Sequence, residues 1–261
     1  MAQYSRRAQQ YLSNGTTNFE VNMLADQDGN IINSFGAASN IPIASGAVTG
    51  HSHINKFGYS DSIASLSTIW DGSNIYSYST SAGAVTVTSS STDDAGAVIE
   101  VQGLDSSYHL VTQDIVLGAT GATNLIRVFR ARLKTPASDE TTNIGIISVS
   151  IGGDLRAKIL AGKGQTLMAV YTIPAGKTGY LLNLTMSVDK NVDVIYTLMA
   201  REQGGAFNIK GQFGTFGTPI DHNYPIPLVF SEKTDIEIQA DAGNTCGGGA
   251  TFDLILVDNP A

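Results

Sequence analysis

A succession of short alternating segments between residues 84 and 258 constrains the fold more than any other feature of this chain. Apolar and polar residues alternate within the segments, as in strands with one buried face, and turn residues rich in Gly, Asp and Asn separate most of them. The sequence therefore predicts about twelve strands. They cover residues 84–89, 96–105, 108–118, 125–134, 145–153, 155–162, 192–202, 206–213, 224–230, 234–241 and 250–258, with two more inside 166–189.

Strands of this length and spacing are typical of an antiparallel sandwich or barrel. We expect an all-β fold, an antiparallel β-sandwich that is jelly-roll-like, with the last two long strands inside the sheets. No repeat of fixed period is present, which argues against a solenoid or propeller. Residues 76–261 are predicted to form this domain, either as one sandwich or as two subdomains that split near residue 160.

Residues 1–75 alternate only weakly and predict an extended N-terminal arm with a few short strands. The first fifteen residues are interpreted as a short helix or arm, and a mobile tail is the alternative to a docking arm. Polar and aromatic side chains would make the docking contacts: Tyr4, Arg6, Arg7, Tyr11 and Leu12.

The net charge of the chain argues against nucleic acid as a partner. The net charge is −8 and the pI is about 4.8, whereas nucleic-acid-binding domains are usually basic. The one cysteine, Cys246, permits no disulfide within the chain. No apolar run is long enough to span a membrane, and the N-terminus lacks the apolar core of a signal peptide. We expect a soluble protein made in the cytoplasm, with neither nucleic acid nor membrane as partner.

No catalytic, cofactor-binding or metal-binding residue is nominated. His51 and His53 could share a metal ion, but further ligands are not visible in the sequence, and a surface loop is the default interpretation. The segment GKGQT at 162–166 departs from the phosphate-loop pattern, and no GxSxG nucleophile motif is present. A glycosidase would need two carboxylates at a working distance, and nothing in the sequence marks such a pair.

One basic cluster stands out in the strand RVFRARLK. Arg130, Arg132 and Lys134 are expected on one face, opposite Phe129 and its apolar neighbours. A solvated strand face is one interpretation. The other is an electrostatic contact with another copy of this acidic chain or with a capsid surface.

Several stretches resemble virion structural proteins of tailed phages, especially marine and cyanobacterial ones. They are INSFG, IPIASG, GHSHINKFGYS, IWDG, VTVTSSSTDDAG, VIEVQGLD, RVFRARLKTPASDETTNIGIISVSIGG, QTLMAVYTIPAGKTGYLL, LMAREQGGAFNIKG, PLVFSEKTDIEIQA and ATFDLILVDN. Together they cover most of the chain from about residue 30 onward. The first fifteen residues lie outside the match.

The resemblance implies a component of a virus particle and supplies no catalytic motif. The leading expectation is a capsid decoration or cement protein, a homotrimer or other homo-oligomer that contacts the major capsid protein or other virion proteins. The alternative is a tail, neck or fibre component involved in binding the host surface. No cofactor is expected, and the expected location is the virion.

Overall fold

The structure, a computed structural model, describes residues 7–13, 18–25, 31–32, 40–137 and 140–260, with side chains from residue 42 onward. The chain forms two compact units, Met1–Ser52 and His53–Ala261. The units divide after Ser52, and the predicted arm of residues 1–75 with a domain of residues 76–261 stays a prediction.

The first unit contains a small antiparallel sheet. Its strands are β1 (Arg7–Ser13), β2 (Asn18–Ala25) and β3 (Ile31–Ile32), in the order β1-β2-β3. A short helix, α1 (Asn40–Ala44), follows. The helix predicted as one option for the first fifteen residues is therefore absent from 7–13, where the described backbone is a strand.

A four-stranded and a five-stranded sheet form the larger sandwich of the second unit. One has the order β16-β13-β18-β4, and the other has the order β12-β17-β14-β15, with β5 also paired to β17. The bounds are β4 (His51–Ile63), β5 (Ser67–Thr68), β12 (Val170–Thr172), β13 (Lys177–Val188), β14 (Asp193–Arg201), β15 (Asn208–Phe216), β16 (Ile220–Phe230), β17 (Asp235–Ala242) and β18 (Cys246–Asp258).

This strand order is that of a jelly roll, in which late strands lie between early ones and the chain passes repeatedly from one sheet to the other. β17 lies between β12 and β14, and β18 lies between β13 and β4. The predicted all-β antiparallel sandwich is confirmed, and so is the interior position of the last two long strands. We call β4, β5 and β12–β18 the jelly-roll domain.

The six strands between β5 and β12 form a second sandwich. Its three-stranded sheets have the orders β11-β10-β6 and β8-β7-β9. The bounds are β6 (Val85–Ser89), β7 (Val98–Leu104), β8 (Leu110–Val116), β9 (Arg127–Thr135), β10 (Ile147–Ile151) and β11 (Asp154–Ile159), with a 3-10 turn at Thr92–Asp94. We call this the inserted sandwich.

The chain enters and leaves the inserted sandwich beside the same strand of the jelly-roll domain, β17. β5 and β12 pair with successive parts of β17, Gln239–Ala240 and Asp235–Glu237. Between them, the Ala169 N–H donates to the Ile69 carbonyl at 2.9 Å. A β-bridge then joins Trp70 to Met168. The outgoing and returning chains are therefore paired where they cross from one sandwich to the other.

Each sandwich has its own apolar core, and the two cores are built with shared elements. The jelly-roll core contains the fully buried rings of Tyr171, Tyr196 and Phe252. The core of the inserted sandwich is filled mainly by Val, Ile and Ala from the alternating positions of its strands. Phe129, from β9 of the inserted sandwich, packs in the jelly-roll cluster, with its ring centroid 4.7 Å from that of Tyr171.

Candidate assembly site

β15 is one of the edge strands of the jelly-roll domain. β15 ends the order β12-β17-β14-β15, and it pairs only with β14 among the described strands. An edge strand presents unpaired backbone N–H and C=O groups that can pair with another chain. β15 is nine residues long and contains no proline. It is therefore a template for strand addition.

The neighbouring edge is built differently. β16 ends the other sheet and carries Pro225 and Pro227 within its eleven residues. Proline cannot donate to a ladder and is one of the devices that protect an edge strand. β15 and β16 therefore differ in proline content, and β15 is better able to accept another strand.

Apolar side chains are exposed along β15 and beside it. Ile209 and Phe216 are each 59% exposed, and Ile195 on β14 is 48% exposed. On β14, Asp193, Ile195 and Met199 alternate with residues that point into the core. Phe216 pairs with Asp193 and Ile209 pairs with Met199, so all three exposed side chains lie on the outer face. Exposed apolar residues grouped on one surface are typical of an interaction site. We call β15 with Ile195 the β15 edge.

Residues of opposite charge lie near the two ends of β15. Lys210 is exposed near its start. Asp193 pairs with Phe216 at its other end, and Asp221, also exposed, lies just beyond the turn that follows. In an antiparallel pairing of two copies, the start of one β15 approaches the end of the other. Each Lys210 would then lie near the acidic end of its partner, which favours this pairing.

An aromatic cluster supports the β15 edge from inside. His222 on β16 lies between Phe213 and Tyr224, with ring centroids at 4.9 and 4.6 Å. Phe213 and Tyr224 also pack against the jelly-roll core. β15 and β16 belong to different sheets, so these rings close the sandwich where the two edges meet. The inner face of β15 is therefore packed against the core, which fixes the position of its outer face.

A buried polar cluster lies where the two sandwiches meet. Asp235 on β17 accepts hydrogen bonds from Arg127 of β9 at 2.8 and 2.9 Å, and from Arg201 of β14 at 3.2 and 2.6 Å. The Thr172 hydroxyl donates to the same carboxylate at 2.6 Å. The ring of Tyr78 lies 5.2 Å from the Arg127 guanidinium and 4.8 Å from that of Arg201.

The other buried carboxylate on this strand is also engaged. Glu237 accepts hydrogen bonds from Tyr78, Gln239 and Thr68. Burial raises its pKa, although these hydrogen bonds act in the opposite direction. With Asp235 committed to two arginines, the pair is arranged as a structural network, not as two free carboxylates facing a substrate. Nothing in the local sequence pattern marked Arg127, Arg201 or Asp235, because their partners lie far away along the chain.

Arg130, Arg132 and Lys134 lie on β9, and each has a partner within the chain. Arg132 pairs with Glu100 at 2.8 Å, and Lys134 pairs with Asp114 at 2.5 Å. The Arg130 guanidinium lies 5.8 Å from the centroid of the Phe57 ring. The role predicted for these three residues in subunit contacts stays a prediction.

The structure describes only part of the predicted docking arm. Tyr4 and Arg6 lie outside the described residues. Arg7, Tyr11 and Leu12 belong to β1, of which the structure describes only the backbone. Their docking role also stays a prediction.

The two candidate metal ligands have separate partners. His53 Nε2 lies 2.9 Å from Asp253 Oδ1, and His51 Nδ1 lies 3.0 Å from the Thr49 carbonyl. Within the described ranges, no group of three or more His, Cys, Asp and Glu side chains is placed to hold a metal ion. In the same part of the chain, no helix has the length and apolar character needed to cross a bilayer.

The chain matches no protein-family model, and no curated protein matches its sequence. Among solved structures it is similar to one described as the structure of infectious bursal disease virus Gt strain. That match has 14% identity, covers 80% of this chain and 73% of the other, and has a TM-score of 0.21. A second match is the infectious bursal disease virus VP2 subviral particle, with 11% identity, the same coverage and a TM-score of 0.20.

Proposed function

We propose that this chain is a non-enzymatic structural protein of a virus particle, which decorates and stabilises a capsid through contacts between its own copies. The observation that carries the proposal is the β15 edge, a proline-free edge strand with Ile209 and Phe216 exposed on its outer face. Monomeric proteins usually protect such an edge, so its retention here indicates that another chain covers it.

The occupant we propose is a second copy of the chain, paired antiparallel through β15. This pairing would satisfy the free backbone groups of both edges and cover Ile209, Phe216 and Ile195. Burying the exposed part of each such side chain contributes on the order of 1–2 kcal/mol. The opposed charges of Lys210 and Asp193 favour the antiparallel direction.

Two further observations support a place in a virus particle. The stretches that resemble phage virion proteins run through both sandwiches. The jelly roll is a recurrent fold of viral capsid domains, although lectins and cupins also use it. Because a fold does not define a function, the assembly surface and not the fold carries the proposal.

Sedimentation velocity tests the contact between copies. The wild-type protein should form a dimer or larger even oligomer, and Ile209→Lys with Phe216→Lys should convert it to a monomer. The matched control places lysines at Leu110 and Val116, which are 55% and 50% exposed on β8, the edge strand of the inserted sandwich. A monomeric wild type, or dissociation by the β8 variant alone, would refute pairing through the β15 edge.

The homotrimer predicted from the resemblance is distinguished by the same measurement. Antiparallel edge pairing is isologous and closes as a two-fold contact, whereas a trimer needs two different surfaces. A trimer that survives both lysine substitutions would therefore contradict the contact proposed here while leaving an assembly role intact.

Cryo-electron microscopy of particles that carry this protein tests the decoration role. Density for it distributed over the capsid shell is the expected result. Density confined to the tail vertex would reject decoration and favour the alternative, a tail, neck or fibre component.

One observation favours that alternative. A cavity of about 320 Å³ lies over the Asp235 cluster, lined by Tyr78, Tyr108 and Arg201 and by the Gly204–Gly205 turn. Aromatic faces beside an arginine suit a sugar that carries a carboxylate. Binding of acidic oligosaccharides that is lost in Arg201→Gln would support host-surface recognition. The same affinity in the variant would remove this cavity from consideration.

A further inference from the structure

A second, smaller cavity lies where β4 of the jelly-roll domain meets β9 of the inserted sandwich. Its volume is about 90 Å³. Lys56 and Arg130 line it, and Asn55, Gln102, Phe129 and Tyr171 also contribute to its wall. A single water needs roughly 10–15 Å³ of such space, so the cavity has room for a small solvated ion.

Lys56 is an unusual residue in this wall. It is only 5% exposed, and its ammonium group donates a hydrogen bond to the Phe129 carbonyl. Among the described residues it forms no ion pair with a carboxylate. An ammonium carries three N–H donors, and a buried charge without an opposite charge is costly. Lys56 therefore lies beside a cavity, and no carboxylate among the described residues compensates the charge of its ammonium group.

The acidic groups nearby are already occupied. Asp253 Oδ1 accepts hydrogen bonds from His53 at 2.9 Å and Asn55 at 2.8 Å. Glu100 is held by Arg132 and by Gln102. No carboxylate lines the cavity, whereas His53, Lys56, Arg130 and Tyr171 all do. The titratable groups that face it thus supply positive charge or none.

From this arrangement we infer that the cavity between β4 and β9 binds a small inorganic anion, held by Lys56 and Arg130. The ammonium and guanidinium groups would each donate charge-assisted hydrogen bonds to it, and such bonds are stronger than neutral ones. The anion would supply the counter-charge that the chain itself leaves out. It would also link the two sandwiches, since Lys56 and Arg130 belong to different ones.

The titration of Lys56 agrees with this geometry. Burial, together with the charge of Arg130, lowers the pKa of Lys56 from 10.5 to about 7. An anion in contact with the ammonium favours the protonated form and acts against both effects. Binding of the anion in the cavity and protonation of Lys56 are therefore linked, and each favours the other.

The experiment is an NMR titration of the full-length protein labelled with ¹³C at the lysine side chains. The Lys56 pKa is measured in sodium gluconate, whose anion is too large for the cavity, and then with chloride or inorganic phosphate at the same ionic strength. We expect one of the two small anions to raise the pKa by at least one unit. That shift corresponds to tenfold tighter binding to the protonated form. An unchanged pKa with both anions overturns the inference.

Substitutions test whether the effect belongs to this cavity. The thermal midpoint at pH 7.5 should rise and saturate with the effective anion in the wild type, and Arg130→Gln and Lys56→Met should lose this response. The control Lys134→Gln removes an exposed lysine that is paired with Asp114, and it should retain the response. Equal, non-saturating responses in all four proteins would indicate a general salt effect and refute the site. If Lys56→Met does not fold, the Arg130→Gln variant and the wild-type titration decide the question.

Discussion

Arg127 and Asp235 lie 108 residues apart in the chain and form a two-pronged ion pair at 2.8 and 2.9 Å. Arg127 begins β9 of the inserted sandwich, and Asp235 begins β17 of the jelly-roll domain. Both side chains are almost fully buried. Because Arg201 binds the same carboxylate, one negative charge compensates two guanidinium groups at the junction of the sandwiches.

Asp235→Asn should therefore destabilise the protein strongly. The substitution keeps the shape of the side chain and removes the charge, so that Arg127 is left as a buried cation without a counter-ion. Removing one partner of a buried pair typically costs about 3–5 kcal/mol. Urea unfolding followed by fluorescence measures the free energy of unfolding. The control is Asp258→Asn, which breaks the more exposed pair with Lys177 and should cost less than about 1 kcal/mol. Similar losses in the two variants would contradict the role given to Asp235.

The two sandwiches should unfold in one cooperative transition. Phe129 and Tyr171 pack ring against ring across the junction, and the Arg127–Asp235 pair crosses it as well. Neither sandwich can open without exposing part of the other's core. Differential scanning calorimetry of residues 53–261 should give a van't Hoff enthalpy equal to the calorimetric enthalpy. Two resolved transitions would show that the inserted sandwich is energetically independent.

Gly103→Ala should be one of the most damaging small substitutions in the inserted sandwich. A Cβ atom at Gly103 would lie 2.0 Å from the Arg127 carbonyl oxygen, so the backbone of β7 or β9 would have to move. Overpacking of this kind costs about 1–3 kcal/mol. At Gly214 a Cβ atom would meet nothing within 4 Å, and Gly214→Ala should change the thermal midpoint little. A tolerated Gly103→Ala would contradict the close approach of the two strands.

The raised pKa of Asp71 should lower the free energy of unfolding as the pH rises from acid to neutral. One oxygen accepts a hydrogen bond from the Leu167 N–H at 2.7 Å, and Oδ1 has no partner among the described residues. Burial raises the pKa of Asp71 from 3.8 to about 7. Between these values the unfolded chain has lost the proton while the folded protein keeps it. The contribution is therefore fully present below pH 3.8 and is lost towards pH 7, by at most about 1.4 kcal/mol per pH unit.

The variant Asp71→Asn isolates this effect. Asn cannot ionise and still accepts the Leu167 hydrogen bond, so the variant should be more stable than the wild type at pH 8. Chemical denaturation at several pH values should show that it lacks the decline between pH 4 and 7. An identical decline in both proteins would assign the pH dependence to other carboxyl groups.

The alternating strands were predictable because each carries its own signal. The predicted segment 96–105 contains β7 (Val98–Leu104), and the predicted segment 192–202 contains β14 (Asp193–Arg201). β4 was missed as a long strand, and the reason is visible on its inward face. The buried positions before Ile63 are Lys56, Gly58 and Ser60, so the strand has no apolar alternation to detect. Gly58 lies so close to Ile69 and Ala169 that a Cβ atom there would meet backbone at 2.4 and 2.5 Å.

The polar centres were beyond the reach of local pattern. Arg127 was seen as the start of a basic strand, but its partner is on β17. The stripe of Arg130, Arg132 and Lys134 was recognised, whereas the pairing of Arg132 with Glu100 depends on the register of β7 against β9. No local sequence pattern predicts that Lys56 is buried, because its burial results from strands that lie far away in the sequence.

The sequence by itself determined that this protein is all-β, antiparallel and built from short strands, because alternation of apolar and polar residues needs only neighbouring positions along one strand. The tertiary structure decided which strands pair: β4 beside β18, and β5 and β12 sharing β17 around the inserted sandwich. Partner choice depends on how whole faces pack against each other. That packing also placed β15 at an edge of its sheet and buried Lys56 beside a cavity.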